Sequence, residues 1–331
     1  MAAFLGPARS NPGAFSFEKG VFRMRRTGIL AALACLASLS IAAGPGAGLA
    51  QAAPLHLVDD QGSHLTLRGP VTRIVCLGPS NAQILLALGL RKDIVGVDDE
   101  SVTYDPQPYR GELKGIEVVG DSYSGLNVEK IADLHPGLVL AMQGVKNMAE
   151  LKALSLPVAT LDPANLEGIY RDIRFVGAAT GSAKRAQALV ASLQARLAAV
   201  RKAVAPLRHP SVYVELDPTQ YYTAGPGSFL DTLVRLAGGQ NIADRVTKSS
   251  YPALSGETII AQNPAYIVLL DTPGASPRSV AARPGWSGIA AVREGHVVAN
   301  IDPSLLSEPA PAIVEGVEEL ARDLHPGHRI P

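Results

Sequence analysis

The sequence is short of several residue types, and these shortages exclude some classes of protein. It has 331 residues but only two cysteines, one tryptophan and six phenylalanines. Lysine and arginine together number 30, as do aspartate and glutamate. Because nucleic-acid binding needs a basic face, this balance of charge indicates no nucleic-acid partner.

The one long apolar run lies near the N-terminus. Residues 29–42 are apolar, the charged triplet Met24-Arg25-Arg26 precedes them, and Ala50-Gln51-Ala52 follows. A charged region, an apolar region and an A-x-A site form the pattern of a secretory signal, so we predict a leader at residues 1–52 with cleavage after Ala52. The alternative is a membrane anchor, but about 14 apolar residues fall short of the roughly 20 that span a bilayer. Either Met1 or Met24 could begin translation.

Removal of the leader changes the charge and the cysteine content. The leader holds five basic residues and one acidic residue, which leaves 25 Lys and Arg against 29 Asp and Glu. Only Cys76 remains, inside the apolar run 74–77, so no intramolecular disulfide can form and the thiol is expected to be buried. Cys35 follows Ala32-Leu33-Ala34, which is a poor lipidation motif. We therefore expect a protein that is free in the periplasm, where an outer membrane would retain it.

Short apolar runs alternate with helical patterns along the rest of the chain. The pattern predicts strands at 73–77, 94–97, 138–141, 157–161, 211–216 and 266–270, with helices at 81–88, 128–134, 146–154, 166–179, 229–237, 257–262 and 310–323. Strands separated by helices indicate parallel sheets, so the predicted fold class is α/β. The tail at 325–331 is expected to fray.

A long helix separates two α/β regions. Residues 183–204 contain no glycine or proline, Gly181 precedes them and Pro206 follows. At 1.5 Å per residue this helix would be roughly 33 Å long, with Ser182 as its N-cap, and its length suits a rigid strut between two lobes. The predicted domains are an N-terminal lobe at 53–180, an interlobe helix at 181–205 and a C-terminal lobe at 206–331.

One motif occurs in both regions with a constant offset of 128 residues. The matched pairs are Tyr123 with Tyr251, Leu126 with Leu254, Glu129 with Glu257, Ile131 with Ile259, and Pro136 with Pro264. Each unit is therefore interpreted as an exposed aromatic, a loop, a short helix that carries a glutamate, a proline and a buried strand.

The paired glutamates have two interpretations. A glutamate near a helix N-terminus is favoured by the helix dipole and can assist capping, which would make Glu129 and Glu257 purely structural. Alternatively, they are equivalent acidic side chains, one on each lobe, that dock on basic residues of a two-fold symmetric partner.

Several short segments follow one another in a characteristic order. They are Arg73-Ile74-Val75 with Pro79-Ser80-Asn81, Gly120 with Leu126 to Ile131, Pro136 to Leu140, Tyr222 to Gly225, Leu236 to Asn241, and Glu257 with Asn263-Pro264. In this order and spacing they resemble the iron/cobalamin-type periplasmic binding proteins of ABC importers, over about residues 71–323. The resemblance implies two Rossmann-like lobes with parallel sheets, joined by one long rigid helix, with a ligand cleft between the lobes and little hinge motion.

The resemblance also implies a function. A monomeric receptor with no intrinsic cofactor would capture a metal chelate (a ferric siderophore, a corrinoid or haem) in the cleft and deliver it to the permease dimer of an ABC transporter. In that family a glutamate on each lobe binds arginines of the permease, and Glu129 and Glu257 occupy these positions. The ligand-contacting side chains by motif match are Ser80, Tyr104, Tyr123, Met142, Tyr222 and Tyr251.

The aromatic content departs from that of the vitamin B12 receptors in this family. Those receptors line the cleft with aromatics, several of them tryptophan, whereas the sole tryptophan here is Trp286. Tyrosines can stack on a macrocycle, and a phenolate can ligate Fe(III), as in haem carriers. Both roles stay open for the four tyrosines, beside the simpler one of a half-buried ring with its hydroxyl in water.

An exported enzyme is the main alternative. The segment from Gly78 to Ala82 is close to the G-x-S-x-G elbow of α/β hydrolases, with Ser80 as the nucleophile. However, Ala82 replaces the last glycine and no oxyanion-hole glycines precede the segment, so Ser80 is better interpreted as a helix N-cap or a cleft contact. The seven histidines show no metal-ligand spacing. A receptor that only signals is a third hypothesis.

Overall fold

A computed structural model describes residues 54–104, 108–270 and 274–331. The predicted leader at 1–52, with Cys35 and the alternative start residues, lies outside these ranges. The described part contains two larger sheets, one on each side of the predicted long helix, and every strand pair in them is parallel. None of its helices is both long enough and apolar enough to cross a membrane.

The N-terminal lobe is built on a five-stranded sheet. The strands of the lobe are β1 (Leu55–Val58), β2 (His64–Leu67), β3 (Ile74–Leu77), β4 (Ile94–Val97), β5 (Glu117–Val118), β6 (Gly120–Asp121), β7 (Gly125–Leu126), β8 (Leu138–Ala141) and β9 (Val158–Thr160). The order in the sheet is β5-β4-β3-β8-β9, while β1 with β2 and β6 with β7 form separate antiparallel pairs. Alternate residues of the central strand β3 enter different hydrophobic clusters, so both faces of the sheet are covered and its strands are apolar throughout.

The helices of this lobe begin where the sequence provides caps. They are α1 (Pro79–Ala87), α2 (Asp99–Thr103), α3 (Val128–Asp133), α4 (Met148–Ala153) and α5 (Leu166–Ala179), with a single 3₁₀ turn at Arg91–Asp93. Asp98, Asn127 and Asn165 each accept a backbone N–H bond at the start of α2, α3 and α5, which satisfies donors that the helix itself leaves free.

The second lobe repeats this architecture around a smaller sheet. The chain continues as α6 (Ala183–Val204), α7 (Phe229–Leu236), α8 (Gly256–Gln262), α9 (Pro277–Ala281), α10 (Ala290–Arg293), α11 (Ser304–Ser307) and α12 (Ile313–Leu324), with 3₁₀ turns at Ile242–Arg245 and Trp286–Gly288. The strands are β10 (Ser211–Glu215), β11 (Gln240–Asn241), β12 (Tyr266–Leu269) and β13 (Val297–Val298). Their order is β11-β10-β12-β13. The predicted α/β class with two lobes is therefore confirmed.

The long helix α6 contacts both lobes. It packs against α5 on one side and against α7 and α12 on the other. Arg196 on α6 donates through Nε and Nη2 to the two carboxylate oxygens of Glu318 on α12, each at 2.8 Å. A second connection joins Arg110 Nη2 to Asp302 Oδ2 at 3.0 Å. The bounds of the predicted domains, at 180/181 and 205/206, stay a prediction.

Two local predictions were wrong. The side chain of Ser182 makes no capping bond to α6, because its Oγ instead accepts from Arg185 Nη2 at 2.7 Å. The tail does not fray: His325 and Ile330 are buried, and Arg322 donates through Nε and Nη2 to the Pro331 carbonyl. The end of the chain is held because it covers apolar surface of α12 and its neighbours.

Asp172 on α5 is a buried carboxyl group with few polar contacts to offset the cost of its burial. It is 1% exposed, neither of its carboxyl oxygens has a hydrogen-bond partner, and Arg171 Nε lies 3.9 Å from Oδ1. Burial first, and the neighbouring Asp60 second, raise the pKa of Asp172 to about 8. The folded protein therefore favours the neutral acid here.

We expect Asp172→Asn to raise the free energy of unfolding at pH 8 by on the order of 2 kcal/mol and to leave it nearly unchanged at about pH 4. The pKa is raised in the folded state, so the unfolded chain releases this proton first. The stability that the group contributes is present below about pH 4 and is lost as the pH rises towards 8. Urea unfolding at both pH values measures this difference, with the exposed Asp133→Asn as control. A variant whose free energy of unfolding follows the wild-type pH dependence contradicts the prediction.

Candidate functional site

Several of the predicted contact residues lie at the carboxyl edge of the N-terminal sheet. Ser80 follows β3, Met142 follows β8 and Tyr123 follows the short strand β6. Parallel strands end at the same edge, which is where α/β proteins bind ligands. The Ser80 hydroxyl donates to the Met142 sulfur at 3.4 Å, and Ser80 is 2% exposed. The structure therefore brings these two side chains together, with the serine below the surface.

The position of Ser80 corrects its predicted role as an N-cap. The helix α1 begins at Pro79, where a proline loses no hydrogen bond, and Gly78 takes the cap position with a φ of 121°. A Cβ at Gly78 would come within 2.6 Å of the Met142 side chain, so only glycine fits this approach. A thioether cannot take a proton from a serine hydroxyl as a general base does, so this contact gives the hydrolase hypothesis no support.

Tyr123 lies at the same edge and is surrounded by carboxylates. Its side chain is 47% exposed. Burial raises the pKa of Tyr123 to about 12, and the next causes are Glu100, Glu308, Asp98 and Asp162. Glu308 follows α11 in the C-terminal lobe, so the Tyr123 hydroxyl faces groups from both lobes. The phenol is held in its protonated form.

Two of the acidic groups near Tyr123, Asp98 and Glu100, lie at the start of α2. Asp98 is fully buried and accepts hydrogen bonds from the Ser101 and Ser122 hydroxyls, each at 2.5 Å. Burial first, and Asp98 next, raise the pKa of Glu100 to about 7. Tyr104 ends α2 one turn after Glu100 and is 56% exposed. This edge therefore presents exposed phenol rings among carboxylates.

The C-terminal lobe contributes two tyrosines from neighbouring segments. Tyr222 pairs with Ala253 in an antiparallel bridge, and Thr223 N donates to the Pro252 carbonyl at 3.0 Å. Tyr251 lies just before this bridge and is 41% exposed, while Tyr222 is half-buried. Burial also raises the pKa of Tyr251. The structure thus brings Tyr222 and Tyr251 to one face of this lobe.

A buried ion pair beneath these tyrosines was missed by the sequence reasoning. Glu215 ends β10 with 0% exposure, and Arg283 donates to its two carboxylate oxygens at 2.5 and 2.8 Å. The Arg283 guanidinium lies 4.6 Å from the Trp286 ring centroid and 5.7 Å from that of Tyr221. A glutamate that closes an apolar strand was the only signal in the sequence, and its partner is distant along the chain.

This cluster also explains the single tryptophan. Trp286 is 1% exposed and packs against Tyr213 and Tyr221 at centroid distances of 6.2 and 5.5 Å. Trp286 therefore belongs to the hydrophobic core and not to an exposed surface. Tyr221 has a φ of +53°, an uncommon conformation for a bulky residue that often accompanies a functional constraint, and it directly precedes Tyr222.

The two glutamates of the repeat occupy equivalent helix positions. Glu129 is the second residue of α3 and Glu257 the second residue of α8, and both are exposed. The cap residues Asn127 and Ser255 are separated by the same offset. The pKa of Glu257 is lowered by its own backbone N–H and by the Ser255 hydroxyl, so capping accounts for part of its role. The docking role of both stays a prediction.

Comparison with known proteins places these features in context. A family model described as "Periplasmic binding protein" matches residues 74–302. The chain is 33% identical over 283 residues to an uncharacterized ABC transporter substrate-binding lipoprotein, YvrC, of Bacillus subtilis (strain 168), which covers 82% of this chain and 86% of that protein. It is 33% identical over 282 residues to a cobalamin-binding protein of Halobacterium salinarum, covering 82% and 74%. The solved periplasmic heme-binding protein RhuT from Roseiflexus sp. RS-1 matches with a TM-score of 0.66 at 27% identity, covering 77% of this chain and 98% of that one.

Proposed function

The chain belongs to the periplasmic binding protein family, and we propose that it captures a metal chelate between its two lobes and delivers it to the permease of an ABC importer. The observation that carries this proposal is that both lobes bear exposed tyrosines. Tyr104 and Tyr123 come from the first lobe and Tyr251 from the second, each more than 40% exposed. Exposed rings of this kind offer flat apolar surface to a macrocycle or chelate.

Among chelates we favour one without net negative charge, a corrinoid first. The relative from Halobacterium salinarum is named for cobalamin and the solved structure from Roseiflexus sp. RS-1 for heme. Haem carries two propionates, and the carboxylates that act on the Tyr123 hydroxyl come from both lobes, so they would repel an anionic ligand held there. A corrinoid or a neutral ferric hydroxamate avoids this repulsion.

Export and delivery complete the proposal. The leader predicted at 1–52 would send the chain to the periplasm, where it would act as a free monomer. Glu129 and Glu257 would then dock on basic residues of the two permease subunits, because the internal repeat places one acidic side chain on each lobe in equivalent surroundings.

The test is retention of a coloured ligand. The purified protein is mixed in turn with cobalamin, haem and a ferric hydroxamate, separated from free ligand by gel filtration, and its absorbance spectrum is recorded. We expect one equivalent of cobalamin to be retained, and less or none of haem. Retention of none of the three would overturn the proposal, and retention of haem alone would overturn the preference for an uncharged chelate.

We further expect the Tyr123 ring, rather than a phenolate, to contact the ligand. Because its pKa is raised to about 12, Tyr123→Phe should weaken binding of a ferric chelate by no more than about tenfold, the cost of one hydrogen bond. The wild-type spectrum should also lack a phenolate-to-iron absorption band. A band that is present in the wild type and lost in Tyr123→Phe would contradict this expectation.

A further inference from the structure

Two cavities among the described residues lie away from the tyrosines, at the amino edge of the C-terminal sheet. They have volumes of about 690 and 400 Å³ and share His209, Gln240 and Arg245 in their linings. The loops that lead into β10, β12 and β13 converge here with the end of the chain. The larger cavity has the size of a typical small-molecule site, and the proposed chelate function does not use it.

The lining of this region is cationic. Arg208 and Arg245 line the larger cavity, and within the described ranges neither has a carboxylate within ion-pair distance. Arg245 donates only a 3.3 Å bond to the Gln240 side chain. The smaller cavity contains Asp244, but Arg235 already pairs with that carboxylate. The remaining acidic lining residue is Glu294.

Four histidines, His209, His296, His325 and His328, add to this lining, and His296 Nδ1 lies 3.7 Å from Glu294 Oε2. His325 is buried and its Nε2 lies 3.1 Å from the Ala237 carbonyl. His209 Nε2 lies 3.3 Å from the Val204 carbonyl, and the His296 ring stacks on Tyr266 at 4.5 Å. Burial first, and His209 and His328 to a smaller extent, lower the pKa of His325.

A metal is not the partner that these histidines indicate. Among the described residues, no group of three histidine, cysteine or acidic side chains is placed so that it could hold a metal ion. Unpaired guanidinium groups beside histidines instead match the donors that bind phosphate and carboxylate oxygens through charge-assisted hydrogen bonds.

We propose that this cavity binds a small multivalent anion of the phosphate class, with Arg208 and Arg245 as its principal contacts. His209 and His296, from the loops before β10 and β13, line the same cavity. The two arginines come from different segments, before β10 and after β11, and both line the larger cavity. The site is independent of the chelate cleft, because it lies at the opposite edge of the same sheet.

Isothermal titration of the purified protein with sodium pyrophosphate at constant ionic strength tests the proposal. We expect one saturable site with a dissociation constant below about 1 mM. Arg208→Gln with Arg245→Gln should weaken binding at least tenfold, the loss expected when charge-assisted bonds are removed. Both side chains are exposed, so the variant should fold, and its thermal unfolding verifies this.

Arg201→Gln is the matched control, because Arg201 is an exposed arginine on α6 outside the cavity. It should bind pyrophosphate within twofold of the wild type. Three results would each overturn the anion site. The heat of titration could fail to saturate, sodium chloride at the same ionic strength could produce the same heat, or the double variant could bind pyrophosphate as tightly as the wild type. None of these outcomes depends on whether the protein binds a chelate.

Discussion

Replacing Arg283 with alanine should destabilise the protein by about 3–5 kcal/mol. The substitution leaves the Glu215 carboxylate, which has 0% exposure, without the two hydrogen bonds that now neutralise it. It also removes the guanidinium that packs over Trp286. Breaking one side of a buried pair costs much more than the pair contributes, because an uncompensated charge stays in the interior. Urea unfolding followed by Trp286 fluorescence measures the loss.

Two further variants separate the buried charge from a general effect of losing an arginine. Arg293→Ala breaks an exposed pair with Glu294, whose side chains are 56% and 54% exposed, and should cost no more than about 1 kcal/mol. Glu215→Gln with Arg283→Met removes both charges and should recover a large part of the lost stability. If Arg283→Ala costs as little as Arg293→Ala, the ion pair does not stabilise this lobe as described.

Loss of both repeat glutamates should abolish delivery while leaving chelate capture intact. In Glu129→Ala with Glu257→Ala, we expect the dissociation constant for the chelate to stay within twofold and uptake at limiting receptor to fall at least tenfold. The reason is that charge complementarity at an interface sets the encounter rate and the register of docking. Uptake of the labelled chelate and equilibrium binding are measured on the same variants.

The chain offers a close control for the structural interpretation of these glutamates. Glu167 is exposed and occupies the second position of α5, after the cap residue Asn165, but it lies outside the repeat. Glu167→Ala therefore removes the same helix-dipole and capping contribution without touching the proposed docking face. Uptake that the double variant does not affect would contradict the docking role and favour a receptor that only signals. Uptake that Glu167→Ala reduces equally would also contradict the docking role, and it would favour a purely structural role for the glutamates.

Helices and central strands could be predicted from the local sequence where a glycine or proline bounds them. The bounds of α5 and α6 match the prediction, because Gly181 separates the two helices and Pro206 follows α6, which contains no glycine or proline. The hairpin of β1 and β2 was missed, since its strands alternate exposed and more buried residues and present no continuous apolar run. Its turn is fixed by Asp59 Oδ1, which accepts from Gln61 N and Ser63 N at 3.0 and 2.7 Å, an Asx-type contact that the local pattern did not reveal.

Within the candidate site, the sequence alone pairs only the residues that repeat. The constant offset in the sequence pairs Tyr123 with Tyr251 and Glu129 with Glu257, whereas the partners of Ser80 and Glu215 depend on how distant strands pack. Ser80 meets Met142 because β3 and β8 are neighbours in the sheet. Arg283 reaches Glu215 because the segment after β12 folds back over β10. Pairings of this kind are a property of the tertiary structure.

The central claim is that one chelate is held by both lobes together. The most direct test is a fluorescence titration, in which the quenching of Trp286 by the retained chelate gives the stoichiometry and dissociation constant of the wild type, Tyr123→Ala and Tyr251→Ala. We predict one equivalent in the wild type and a dissociation constant about 10- to 100-fold larger in each variant, because each ring is an aromatic contact from a different lobe. Binding between the two lobes would be contradicted if quenching of the wild type never saturates. It would also be contradicted if only one of the two substitutions changes the dissociation constant.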